Sequence, residues 1–445
     1  MMHFNRPVKF LFIFFVIASG ISTTRSQYDP SKKFTDAADE YIKRYVNNGD
    51  FSGNVIVTKN GKIIFDRSYG EMVMDPKMPM RKDAQFRIAS VSKTFTAAAI
   101  VILSNKGKLD LNNKLKKFIP DFIGADSISI RHLLLHQSGV ADIDYDKFSK
   151  NELTLNETIN TIKNKPLYFP PGTQSRYSNS GYLLLAFIIE KASGKTYEQF
   201  LREEIFQKLS MNNTGVDKDD IAISNMATGY SPGESATGIM SPPYYDINLE
   251  TGSGSLYSTV DDLLKWMDAI TQKKLFDIDA LEYPYGWGVR NHFSGKKCLV
   301  QSGFLHGYSS CIAMYPSEKL FIVSLSNISS SFGEESAKDL AAIYFNESYS
   351  LPEARKNIVL DDFSPYPGKY IFPGYKNFFI ERKGAAIYWR FEDEQTGAPL
   401  APLAEDTFLL RFNNTKIVFQ KNENGKIKSL SFGGGANAVT CNKSD

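Results

Sequence analysis

Cysteine is scarce in this chain, with three residues among 445, Cys298, Cys311 and Cys441. That excludes a disulfide scaffold, which needs several paired half-cystines to replace a core. A bond between Cys298 and Cys311 stays open if they prove to be cross-strand neighbours, and Cys441 is expected to be free. Histidine is as rare, at five. His132 and His136 stand four apart in IRHLLLHQSG, but no third ligand accompanies them, so no metal site is expected. A surplus of one charge is also missing: the basic residues number 52 and the acidic ones 49. Taking away residues 1–26 removes Arg6, Lys9 and Arg25 and no acid, which leaves 49 of each. A neutral chain without a basic run has no footprint for nucleic acid or for an anionic membrane surface. Long apolar runs are absent as well. FLFIFFVIASGI, the longest, has about a dozen residues where a membrane span takes about 20.

That short run follows MMHFNRPVK and precedes Thr24-Arg25-Ser26. Basic start, apolar middle and small residues read as a secretory signal peptide over 1–26, and so as an exported protein, periplasmic or secreted, without a membrane span. The rest is long for one core and suggests two domains, 27–354 and 355–445. In the first, FTDAADEYIKRYVNN reads as a helix, and NVIVTK and KIIFDRSYG flank Asn60-Gly61, a hairpin signal. Residues 88–275 are mainly helical. Strands return in KKCLVQS, YSSCIAMYP and LFIVSLSN, and GEESAKDLAAIYF closes the unit as a helix. The pattern predicts an α+β fold, an antiparallel sheet flanked by terminal helices plus a mainly helical half. From 355 on, short β runs such as NFFIERK, AAIYWRF and TKIVFQK predict a small all-β, barrel-like domain.

Chemistry enters at IASVSKTFTAAAIVIL, residues 88–103, where Lys93 interrupts a run apolar on every face. A Ser-x-x-Lys is ordinarily a cap and a snorkelling lysine, and SGKK at 294–297 is such a case. In 88–103, however, positions i and i+3 face the same way, so the Lys93 amine reaches the Ser90 hydroxyl. Desolvation weakens a lysine's hold on its proton, and such an amine can serve as base to a serine nucleophile. Tyr177-Ser178-Asn179 offers a tyrosine to relay a proton and an amide to hold a substrate. Tyr-x-Asn also occurs at 45, 344 and 375, and the plain reading of 177–179 is a loop in which Asn179 or Ser180 caps the helix GYLLLAFIIEKASG. Gln301-Ser302-Gly303 ends a strand whose edge can present a backbone N–H to a developing oxyanion.

In this order and spacing the three elements resemble the serine β-lactamase and penicillin-binding hydrolases, and most of all the branch of class C β-lactamases, D-alanyl-D-alanine carboxypeptidases, D-aminopeptidases and esterases. The resemblance spans about residues 35–345 and includes ISIRHLLLHQSGV, FPPGTQSRYSNSGYLLL and GSGSLYSTVDDLLKWM. It implies Ser90 as acylated nucleophile, Lys93 as its base partner and Tyr177 as proton shuttle or deacylation base. Asn179 would orient the substrate, Gln301 and Gly303 would line it, and the N–H groups of Ser90 and Phe304 would form the oxyanion hole. No metal or cofactor is implied. The C-terminal unit is similar to the lipocalin-like domains appended to such hydrolases.

Gln301 departs from that family pattern, which has lysine or histidine there. A neutral amide gives a weaker grip on a substrate carboxylate than a charged donor. The expected function is therefore an exported serine hydrolase of an ester or amide bond, its substrate small or peptide-like. A D-alanyl-D-alanine carboxypeptidase or β-lactam-binding protein is one alternative, and a silent binding protein on the same fold is another. The oligomeric state is not legible.

Overall fold

A computed structural model describes residues 30–444 apart from 149–152, 219–221, 282, 293–294, 331, 393–396 and 433–437. The expected signal peptide lies outside the described residues. Helix α1, Pro30–Asn47, leads into the hairpin β1, Gly53–Lys59, and β2, Lys62–Tyr69. Asn60 and Gly61 turn it with φ of 52° and 73°, the pair of positive values that matches the twist of two antiparallel strands. Far along the chain come β3, Gly288–His292; β4, Lys296–Leu305; β5, Tyr308–Tyr315; and β6, Leu320–Ser326. They join the hairpin in one antiparallel sheet of order β3-β4-β5-β6-β1-β2. Both ends of the sequence thus build it, as expected.

Period-two alternation assigns the faces of the sheet. Ile56, Ile312, Met314, Phe321 and Val323 join the larger core on the helical side. Val55, Val57, Cys311, Ala313 and Ile322 pack instead beneath α1 and the closing helix Phe332–Phe345. On the helical side, the stretch that raised the question of Lys93 forms α2, Ser92–Asn105, with Ser92 to Leu103 all buried. Beside it runs α3, Asn179–Ser193, ended by Gly194 at φ +73°, the left-handed cap a helix stop favours.

The C-terminal strands close into a barrel of eight, Gly368–Ile371 to Val439–Lys443, each antiparallel to the next and the last to the first. Closure leaves no exposed edge. Trp389 stacks on Phe378 at 3.6 Å in its core, where Cys441 is also buried. Register answers the question left open for the cysteines. Register sets Cys311 opposite Ser302 and Cys298 opposite Arg290, so the two lie four residues apart along their strands, about 13 Å at a strand's rise. That is beyond disulfide reach, and no disulfide joins any of the three buried cysteines.

Candidate active site

The turn Ala89–Val91 enters α2 with Ala89 at φ +46°, a left-handed value that costs energy for a residue with a side chain. Ser90 sits at the top of this sharp turn rather than as a helix cap. The turn is fastened on two sides: Ser310 Oγ, from β5 of the sheet, donates to the Ile88 carbonyl at 2.7 Å, and Ile88 N–H donates to the Leu256 carbonyl, outside that sheet, at 2.8 Å. A side chain at Gly303 would begin 2.4 Å from the Ile88 oxygen and 2.9 Å from Ser90 N. Only glycine lets β4 lie this close to the serine.

Lys93 is 1% exposed and its ammonium position faces three oxygens. Nζ lies 3.0 Å from Ser90 Oγ, 2.8 Å from Asn179 Oδ1 and 2.8 Å from the Ser253 carbonyl. The last two only accept, so each holds one lysine hydrogen, and the remaining tetrahedral position points at the serine. Tyr177, 52% exposed, donates to Ser90 Oγ at 2.6 Å, and its ring lies 4.7 Å from Lys93 Nζ. Ser90, Lys93, Tyr177 and Asn179 therefore meet, although 87 residues separate the serine from the tyrosine.

The Asn179 amide is turned by its other side. Its Nδ2 donates to Tyr145 Oη at 3.2 Å and to Glu250 Oε1 at 3.4 Å, which leaves Oδ1 for the lysine. Ser178, rather than Asn179 or Ser180, caps α3 by accepting from Gly181 N–H at 3.0 Å. That substitution of roles frees the asparagine for the site. The buried Glu250 carboxylate also accepts from Tyr245 Oη at 2.5 Å and from Ser253 Oγ. Burial, then this carboxylate, push the Tyr145 and Tyr245 phenols well above their ordinary values, so both remain donors.

His136 is a residue that the sequence reading passed over. Its carbonyl accepts from Arg176 N–H at 2.9 Å, and its Nδ1 accepts from Ser178 N–H at 3.0 Å. Its ring stacks on Tyr177 at 4.6 Å. The two residues that flank Tyr177 and the tyrosine itself are thus gripped by one histidine. An accepting Nδ1 requires the neutral ring, and burial, then the charge of Lys93, push the imidazole down to about 4. His132 does a different task, its Nδ1 facing Ser129 N–H at 3.4 Å in a capping box. The only sequence signal was their i, i+4 spacing, which points to metals and not to clamps.

Strand β4 runs through Leu305, further than the expected KKCLVQS. The turn of His306 and Gly307 makes Leu305 and Tyr308 a pair that exchanges hydrogen bonds. Alternation then turns the N–H of Phe304 away from β5. Past Val300 no strand covers that side of β4 among the described residues, and the serine turn lies there. Gln301, in the same stretch, donates to the Ser302 carbonyl at 3.0 Å. A cavity of about 660 Å³ opens beside it, lined by Lys93, Tyr177, Gln301 and Ser302 and also by Arg131 and Arg290.

The chain matches the family model described as Beta-lactamase over residues 38–345. "Penicillin-binding protein 4*" of Bacillus subtilis (strain 168) is 29% identical over 411 residues, which are 84% of this chain and 91% of that one. "Protein flp" of Staphylococcus aureus (strain MW2) is 26% identical, over 73% of this chain and 70% of that one. Among solved structures, a D-amino acid amidase from Ochrobactrum anthropi SV3, in complex with D-phenylalanine, aligns with a TM-score of 0.62 at 22% identity, covering 72% of this chain and 99% of the amidase. An octameric penicillin-binding protein homologue from Pyrococcus abyssi aligns with a TM-score of 0.62 at 22% identity, over 93% of this chain and all of that one.

Proposed function

The chain belongs to the β-lactamase family and is a serine hydrolase, and from that premise we propose that it cleaves an amide, peptide-like or ester bond through an acyl group on Ser90. The convergence of Tyr177, Lys93 and Asn179 on one serine carries this reading. As Ser90 Oγ attacks the substrate carbonyl carbon, its proton passes to the open position of Lys93 Nζ. The carbonyl oxygen becomes an oxyanion held by the N–H groups of Ser90 and Phe304. Collapse breaks the bond to the leaving group, which takes the Tyr177 proton, and the proton held on Lys93 replaces it. A water then attacks the acyl carbon while giving one proton to Tyr177 Oη, whose own proton passes to Ser90 Oγ as the acyl bond breaks, which restores the serine. Asn179 steadies Lys93 and offers its amide to the substrate, while Gln301 and Gly303 shape the edge along which the substrate lies.

The names of the relatives, amidase and penicillin-binding proteins, favour amide and peptide-like substrates. A carboxylate-bearing substrate is the second reading, favoured by Arg131 and Arg290, which line the cavity beside Gln301 and bring the positive charge that the glutamine lacks. A fluorophosphonate probe tests the first reading: mass spectrometry should find the adduct on the peptide holding Ser90 and lose it in Ser90→Ala. An unlabelled Ser90 peptide would sink it. Labelled penicillin separates the two: acylation supports the carboxylate, and its failure while esters turn over removes that option.

Export rests on residues 1–26, and no described helix is long and apolar enough to cross a membrane. N-terminal sequencing of protein recovered outside the cytoplasm should begin at Gln27. Recovery only of chains that start at Met1 would refute it.

A further inference from the structure

Resting on the acyl-Ser90 reading, we propose that the barrel completes the active site, building with the sheet domain a subsite for an apolar, aromatic acyl arm of the substrate. A second cavity of about 840 Å³ lies between the two domains. Phe304 and Tyr145 line it from one side, Phe412 and Tyr388 from the barrel. Strand β4 passes the nucleophile between the two cavities: Gln301 and Ser302 face the first and Phe304 the second. A carbonyl seated over Ser90 therefore extends one arm into each.

The second cavity is aromatic in character. Phe304 is 47% exposed and Phe412 36%, and their ring centroids stand 6.2 Å apart. Two large apolar side chains left facing each other in water gain from a third ring beside them. Two of the cations at the rim are already engaged. Arg176 pairs with the Asp142 carboxylate at 2.8 Å and lies over the Tyr168 ring at 3.9 Å, and Lys165 donates to the Asp142 carbonyl at 2.9 Å. Beside these groups the cavity offers a ligand the exposed rings of Phe304 and Phe412.

The wall that the barrel supplies is also held still. Arg411, the residue before Phe412, is buried in the sheet domain. It donates to both the Asp50 carboxylate, at 2.9 Å, and the carbonyls of Gly49, at 2.7 Å, Asn48, at 3.1 Å, and Ser235, at 3.0 Å. An anchor of this kind fixes Phe412 before the substrate arrives, so binding does not have to order it.

The test uses the full chain and two p-nitrophenyl esters, the acetate and the phenylacetate, which differ only in the arm. The ratio of their kcat/KM values, phenylacetate over acetate, should fall roughly tenfold in Phe412→Ala, through KM, and by less in Phe412→Leu, which keeps an apolar side chain. A ratio equal to that of wild type in both variants overturns the proposal. A Ser90 that the fluorophosphonate leaves unlabelled in the wild type overturns the acyl-Ser90 reading, and this subsite with it, whereas a labelled wild type inert to both esters overturns the subsite alone.

Discussion

Lys93 and Arg411 are the two buried basic side chains among the described residues, and their surroundings are opposites. Arg411, at the junction of the domains, meets the Asp50 carboxylate at 2.9 Å, and Arg355 pairs with the same acid. Lys93, in the site, meets a hydroxyl, an amide oxygen and a backbone carbonyl, all neutral. A carboxylate in contact makes a cation a permanent charge, and arginine has no proton to lend in any case. Neutral dipoles hold an amine in place whether or not it carries its extra proton. The Glu250 carboxylate is linked to the lysine through Asn179 and Ser253. One cation fastens the molecule, and the other is placed to exchange a proton with Ser90.

The sharpest way to break this comparison is to give each site the other's cation chemistry. Lys93→Arg keeps a charge and a long side chain but cannot accept the serine proton. Its kcat should fall by a factor on the order of 10³ or more, and Tyr177→Phe by about 10² to 10⁴, the range of a lost general acid–base group. Retention of wild-type kcat in Lys93→Arg would show that the amine serves only as a charge. At the other site, Arg411→Met leaves Asp50 buried with one partner fewer and should cost about 3–5 kcal/mol in chemical unfolding. Adding Asp50→Asn should recover part of that loss, because the stranded charge goes too. Equal stability of Arg411→Met and wild type would mean that the junction contributes nothing.

How far the sequence announced these two cations differs, and the reason is distance along the chain. Ser90 and Lys93 are one helical turn apart, so a periodic pattern exposes them, and the buried α2 confirms what the unbroken apolar run implied. The hairpin at Asn60-Gly61, the sheet made from both ends and the barrel were legible through the same local signals, turn dipeptides and alternation. Arg411 and Asp50 are separated by 361 positions, and each alone looks like a solvated charge. Tyr145, Glu250 and His136 were silent for the same reason, since a clamp or an amide orientation is set by loops that only the fold brings together. Phe304 was named for its N–H, but nothing in the sequence placed the Phe412 ring beside it. The pairing of Cys298 and Cys311 stayed open in the sequence because it depends on register, which composition and strand assignment leave free.

His136 offers the gentlest probe of the contrast, because it senses the charge on Lys93 without joining the chemistry. Burial and then the lysine depress its imidazole to about 4. A histidine that the fold keeps neutral is protonated more readily in the unfolded chain. Its contribution to stability is therefore complete above the unfolded value, near 6.5, and is lost as pH falls towards 4, which amounts to about 3 kcal/mol over that window. Lys93→Met removes the second cause and leaves the first. The His136 titration, followed by NMR of its ring, should then move up part of the way towards 6.5, and the loss of stability between pH 6.5 and 4 should become shallower. His136→Asn, which keeps an acceptor for Ser178 N–H but does not titrate, should flatten that same part of the curve. An imidazole that titrates at the same pH with lysine and with methionine at position 93 would mean that burial alone holds it neutral.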